Sequence, residues 1–123
     1  MNLITGSVEK NHAILPVTFA TKTLGAIVAK FIVDTGYTGL LTLPLKDITA
    51  LGLELTEDME ITLADESRAT VNVYSGVIVW HGVAREIFVL ELDSRPLLGA
   101  GLLRGSRLSI DFEEGGAVAV TPL

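Results

Sequence analysis

Apolar residues in this chain fall in short runs, and several runs alternate with polar positions, the period-two pattern of a half-buried strand. Residues 14–19 and 26–33 are rich in β-branched and apolar side chains, with residues 21–25 between them as a turn, which predicts a hairpin. Met59, Ile61 and Leu63 alternate with Glu60 and Thr62, and residues 70–74 alternate in the same way. Residues 77–80 and 87–92 are denser apolar strands around a His81-Gly82 turn. Residues 107–112 and 117–120 form a last hairpin about Glu113-Glu114-Gly115-Gly116. Helix signals are sparse. Residues 45–51 follow Pro44 and stop at Gly52, a good start and a good end. Residues 97–104 read as a second short helix in spite of Gly99 and Gly101.

The strand pattern also repeats. Gly25 precedes Phe31 by six positions and Gly82 precedes Phe88 by six, so 82 − 25 and 88 − 31 both equal 57. At that offset Ala26 matches Val83, Ile32 matches Val89 and Val33 matches Leu90. Two similar hairpin units packed about a pseudo-twofold axis would produce this pattern.

Length and composition narrow the picture. At 123 residues the chain makes one domain, and 49% hydrophobic residues suffice for a sizeable core. Cysteine is absent, which excludes disulfide frameworks, thiolate metal sites and cysteine nucleophiles. The net charge of −6 argues against nucleic acid as a partner. The first residues lack a basic segment leading into an apolar core, and no apolar run reaches the roughly 18 residues of a membrane span. A soluble, cytoplasmic protein with no membrane partner is expected. His12 and His81 are placed at turns, with no cluster of acids and histidines around them, so no metal and no cofactor is expected. Acid is concentrated at Glu54, Glu57, Asp58, Glu60, Asp65 and Glu66, before Arg68. This is either the solvated side and turn of a hairpin or a patch that recognises basic substrates.

The segment that carries chemistry is Phe31-Ile32-Val33-Asp34-Thr35-Gly36-Tyr37-Thr38-Gly39. An apolar strand runs directly into an acid, where an ionised carboxylate is costly unless it is hydrogen-bonded or paired. As a structural feature, Asp34 would be a turn former, with Gly36 free to take a positive φ. Leu40, Leu41 and Leu43 suit a further strand beside the loop. Leu97-Leu98-Gly99 then repeats the pattern of apolar residues leading into glycine.

Together these motifs resemble the retropepsin-like aspartic proteases, the single-domain class typified by retroviral proteases, over about residues 14–112. Asp34-Thr35-Gly36 matches the catalytic triplet and Leu97-Leu98-Gly99 the apolar-apolar-glycine motif. The aromatic Tyr37 after the triplet resembles a prokaryotic subgroup. The resemblance implies a mostly β, closed barrel with one or two short helices and a flap hairpin. It implies a homodimer that hydrolyses peptide or protein substrates. One chain carries one triplet, so Asp34 of a second copy would complete the dyad in which one carboxylate is base and the other acid. By the same resemblance Thr35 braces the two loops across the dimer, and Gly36 offers its carbonyl to substrate. Gly99 leaves room behind the loop. Tyr37 either lines the pocket or packs beneath the loop, next to Thr38. The flap is residues 59–73, with Asp65, Glu66 and Ser67 at its tip. Glu91 lies 57 positions after Asp34 but lacks a following Thr-Gly, so it reads as an ordinary strand-end acid.

Three departures separate the chain from retroviral members. Tyr37 and Thr38 replace the common Ala and Asp, and Ala100 replaces the common Arg. The flap tip has no glycine and two acids. The last strand continues into a hairpin ending at Thr121-Pro122-Leu123, so the dimer interface is expected to use different strands. These departures motivate a rival, a catalytically inactive peptide-binding or assembly module of the same fold. A small β-barrel unrelated to proteases is a third reading.

Overall fold

The computed structural model describes residues 2–123. Its ten strands are β1 (Ile4–Glu9), β2 (His12–Thr21), β3 (Gly25–Asp34), β4 (Leu41–Leu43), β5 (Glu54–Thr62), β6 (Arg68–Trp80), β7 (Val83–Glu91), β8 (Leu97–Gly99), β9 (Ser106–Ile110) and β10 (Ala117–Pro122). The helices are α1 (Leu45–Leu51) and α2 (Ala100–Leu103).

The long strands β2 and β6 each change partners part-way. β2 pairs with β1 through His12 to Ile14 and with β6 through Thr18 to Ala20. β6 pairs with β5 through its first half. The β2–β6 contact closes six strands, β6-β7-β4-β8-β3-β2, into a barrel, and closure removes the open edges those strands would otherwise present. β5 extends from one side of the closure, and β1, β10 and β9 from the other.

The barrel has the expected pseudo-twofold. β3 runs parallel to β8 (Ile32 beside Leu97), and β7 runs parallel to β4 (Val89 beside Leu41). The axis passes between β4 and β8, which are antiparallel with Leu41 beside Leu98 and Thr42 beside Leu97. The turn glycines Gly25 and Gly82 have nearly the same φ, 73° and 75°. Inside lie Phe19, Phe31, Leu15, Leu41, Ile78 and Leu98, all essentially without solvent contact. The Phe19 and Phe31 rings pack 6.2 Å apart. Trp80 and Tyr74 are core residues as well.

Three elements differ from the sequence pattern. Residues 97–104 are not one helix: Leu97–Gly99 is a strand, because parallel pairing with β3 supplies hydrogen bonds that a glycine-interrupted helix would supply poorly. Residues 70–74 and 77–80 are one strand, since Ser75 and Gly76 stay in register with Phe88 and Ile87. β1 carries no clear apolar alternation, and Gly6 is needed there because any Cβ would collide with the Ile14 backbone. With β1 in place, His12 follows a two-residue turn at Lys10 and Asn11 and opens β2 instead of sitting in a turn.

Candidate active site

Strand parity puts Asp34 where a carboxylate is tolerable. On β3, Phe31 faces the core, so Ile32 and Asp34 project from the opposite face. The chain then turns at once. The Gly36 N–H donates to Asp34 Oδ1 at 3.0 Å, and the Tyr37 N–H donates to the Asp34 carbonyl at 3.1 Å. Thr35 and Gly36 are exposed at the tip. Gly36 does not use a left-handed φ, contrary to the turn-former expectation; the positive-φ glycines lie elsewhere. Its lack of a side chain matters for another reason: a Cβ would sit 3.2 Å from Asp34 Oδ1.

The following residues pass over the start of α2. The Ala100 N–H donates to the Tyr37 carbonyl at 2.7 Å, and the Gly101 N–H to the Gly39 carbonyl at 3.0 Å. These loop carbonyls satisfy N–H groups that a helix start leaves without partners. The approach is close. A Cβ on Gly99 would fall 2.6 Å from the Tyr37 ring, and one on Gly101 would fall 2.6 Å from the Thr38 carbonyl oxygen. Gly99 therefore leaves room for the crossing chain. Tyr37 packs its ring beneath the loop against Gly39 and Gly99, and burial raises its hydroxyl pKa above the usual tyrosine value. Thr38 stays exposed.

The face that carries Asp34 continues as an apolar floor. Asp34 is beside Gly99, and the next pair on that face is Ile32 and Leu97. Beyond them come Thr42 and Leu90. Thr42 is wholly buried, and its Oγ1 accepts the Leu97 N–H at 3.1 Å. On the other side of β3, Ile14 pairs with Ile32 at the end of the β2–β3 ladder, and His12 and Asp34 each lie two residues beyond that pair. His12 Nε2 lies 2.6 Å from Nη1 of Arg95, in the segment just before β8. The sequence hid this pair, because 83 residues separate the two and His12 reads as a turn residue until β1 is placed.

A solved structure has a similar fold. The crystal structure of a retropepsin-like aspartic protease from Rickettsia conorii is similar over 95% of this chain and 90% of that one, with a TM-score of 0.60 and 21% sequence identity. The fold is retropepsin-like. No protein-family model and no curated protein matches the sequence.

In this retropepsin-like fold the expected flap is the β5–β6 hairpin, with Met59 beside Val71 and Thr62 beside Arg68. Its tip is a three-residue loop. The Glu66 N–H donates to the Leu63 carbonyl at 2.9 Å, and the Leu63 N–H to the Ser67 carbonyl at 2.7 Å. Such loops place their last residue in the left-handed region, usually as glycine. Here Glu66 takes it, with φ 67°. Glu66→Gly is expected to stabilise the hairpin by up to about 1 kcal/mol, the left-handed cost offset in part by glycine's entropy. Slower amide exchange across residues 59–73 would register the gain, and unchanged exchange would contradict it.

Asp65 and Ser67 are bound to each other, not to the Asp34 loop. Asp65 Oδ1 accepts the Ser67 hydroxyl at 2.5 Å and the Ser67 N–H at 3.0 Å. These bonds lower the Asp65 pKa, so they strengthen the tip above the ordinary aspartate value of 3.8 and lose that effect as pH falls through the lower folded value. In Asp65→Asn the tip should lose this acid-induced loosening, read by NMR shifts of Ser67 during an acid titration. An acid transition that persists in the variant would assign it to another group.

Glu91 is the strand-end acid it was expected to be. It accepts the Tyr74 hydroxyl at 2.8 Å and the Asn72 amide at 3.4 Å. Its hydrogen bond is the main cause of a raised Tyr74 pKa. It cannot pair with Asp34 within one chain. The two strands run in opposite directions and stand three positions apart in the sheet, about 14 Å at the usual spacing. Among the described residues, no group of three acids or histidines could hold a metal ion, and no helix is long and apolar enough to cross a membrane.

Proposed function

We propose that this chain is an aspartic endopeptidase, active as a homodimer in which Asp34 of each copy forms the catalytic dyad. The observation that carries the reading is a turn-fixed Asp34 carboxylate beside an exposed loop tip, in a retropepsin-like fold that supplies only one such triplet. One carboxylate takes a proton from water, whose oxygen attacks the peptide carbonyl. The other, protonated, gives its proton to the carbonyl oxygen. The resulting diol collapses: one hydroxyl returns its proton to the carboxylate that gave one, the C=O re-forms as the C–N bond breaks, and the proton taken from water passes to the leaving nitrogen. Two close carboxylates titrate as a pair, which keeps one protonated while the other is not.

Thr35 is assigned to bracing the two loops, and the Gly36 carbonyl to a substrate N–H. Thr38 borders the substrate, and Asp65, Glu66 and Ser67 close over it from the flap. Tyr37 serves the site by supporting the loop from below. The test is hydrolysis of an unfolded protein from acidic to neutral pH, with new termini read by mass spectrometry. Activity per chain should rise with chain concentration as dimers form. Activity per chain independent of dilution into the monomer range would overturn the shared site, and no cleavage with retained peptide binding would leave a binding module.

A further inference from the structure

We propose that Arg95 is an anion anchor in the substrate cleft and selects peptides that carry a carboxylate close to the scissile bond. The inference rests on the protease reading and adds to it a substrate class.

The geometry comes from register. Leu97 on β8 and Ile14 on β2 flank Ile32 of β3 on the face that bears Asp34. Arg95 precedes Leu97 by two residues, and His12 precedes Ile14 by two. Ala13 and Leu15 point into the core, so His12 shares the face of Ile14, Ile32 and Asp34. The 2.6 Å contact from Arg95 to His12 therefore brings the guanidinium across β3 on the Asp34 side of the sheet.

Charge makes this placement informative. The ion pairs among the described residues are Lys22–Glu54, Lys30–Glu9 and Arg68–Glu60, and Arg95 belongs to none. Asp93 and Asp47 border the same shallow depression without pairing with it. In a chain of net charge −6, a cation contacts an imidazole instead of a carboxylate and keeps donors to spare. A guanidinium matches a carboxylate with two parallel hydrogen bonds. An extended peptide advances about 3.3 Å per residue, so a carboxylate within about three residues of the cleaved bond is in reach. It can come from an Asp or Glu side chain or from a free C-terminus.

The experiment compares the wild type, Arg95→Ala and Arg95→Glu on quenched peptides. Each peptide carries Glu, Gln or Lys at one position within three residues of the scissile bond, with a free or amidated C-terminus. Arg95 is exposed, so the variants should fold. The wild type should prefer Glu over Gln by about tenfold or more, mainly in KM; Arg95→Ala should abolish the preference and Arg95→Glu should turn it toward Lys. A preference confined to free C-termini assigns the anchor to the terminal carboxylate. The same peptides are also titrated against the Asp34→Asn chain by calorimetry. If the wild type cleaves nothing, the protease reading fails, while Glu-selective binding lost on Arg95→Ala still supports the anchor. Equal cleavage and equal binding of all peptides, or no binding of any, overturns it.

Discussion

Asp34→Asn should keep its melting temperature and its dimer while hydrolysing peptide at least about 10³-fold more slowly, the size of a lost acid–base pair. The fold should survive because asparagine is isosteric and its side-chain oxygen still accepts the Gly36 N–H. Asp34 sits at a strand end and outside the hydrophobic core, so no cavity opens. Chemistry should not survive, because an amide neither takes a proton from water nor returns one to nitrogen. In the proposed dimer, removing two facing carboxylates also removes their repulsion, so dimer dissociation measured by sedimentation should be unchanged or weaker. Full activity in the variant would end the dyad mechanism. A large loss of melting temperature would mean that the acid is structural.

Gly99→Ala should lower stability by about 3 kcal/mol, the upper end of the usual overpacking cost, because backbone atoms cannot move aside as a flexible side chain would. For a domain of this size that is a fall of roughly 10 °C in melting temperature. Gly99 has φ −95° and ψ 171°, extended values that alanine adopts freely. The cost is therefore contact alone. The new methyl would meet the Gly39 carbonyl oxygen, the Tyr37 ring at 2.6 Å and the Tyr37 carbonyl oxygen at 2.7 Å, all in the loop that shapes the site. Gly25→Ala is the control: nothing lies within 4 Å of its Cβ, but φ is 73°, so only the left-handed cost of about 1 kcal/mol applies. Equal losses in the two variants would refute the contact explanation. Because the loop moves with the clash, Gly99→Ala should also lose activity at temperatures where it is still folded.

The local pieces could be read without coordinates where neighbours in sequence decide them. The β2–β3 hairpin, the His81-Gly82 turn and the α1 limits at Pro44 and Gly52 all depend on residues within a few positions. The Asp34 loop was legible for the same reason: an apolar strand that delivers an acid into Thr-Gly has few uses. The flap tip was only half legible. Its position was clear, but that Glu66 would take a glycine's conformation depends on the loop length set by pairing across the hairpin. Residues 97–104 depart from their local pattern because parallel pairing with β3, 65 positions earlier, outweighs local helix preference.

By itself, then, the sequence determined one chemistry-bearing loop, the strand-rich class and the twofold repeat, since short-range patterns of burial and turn residues are enough for each. Only the tertiary structure decided which distant residues share a face. Barrel closure through β2 and β6 sets the registers, and the registers put Tyr37 beneath the loop, separate Glu91 from Asp34 and bring Arg95 to His12. Strand pairing has no fixed reach along the chain, and a shift of one residue turns every side chain to the other face.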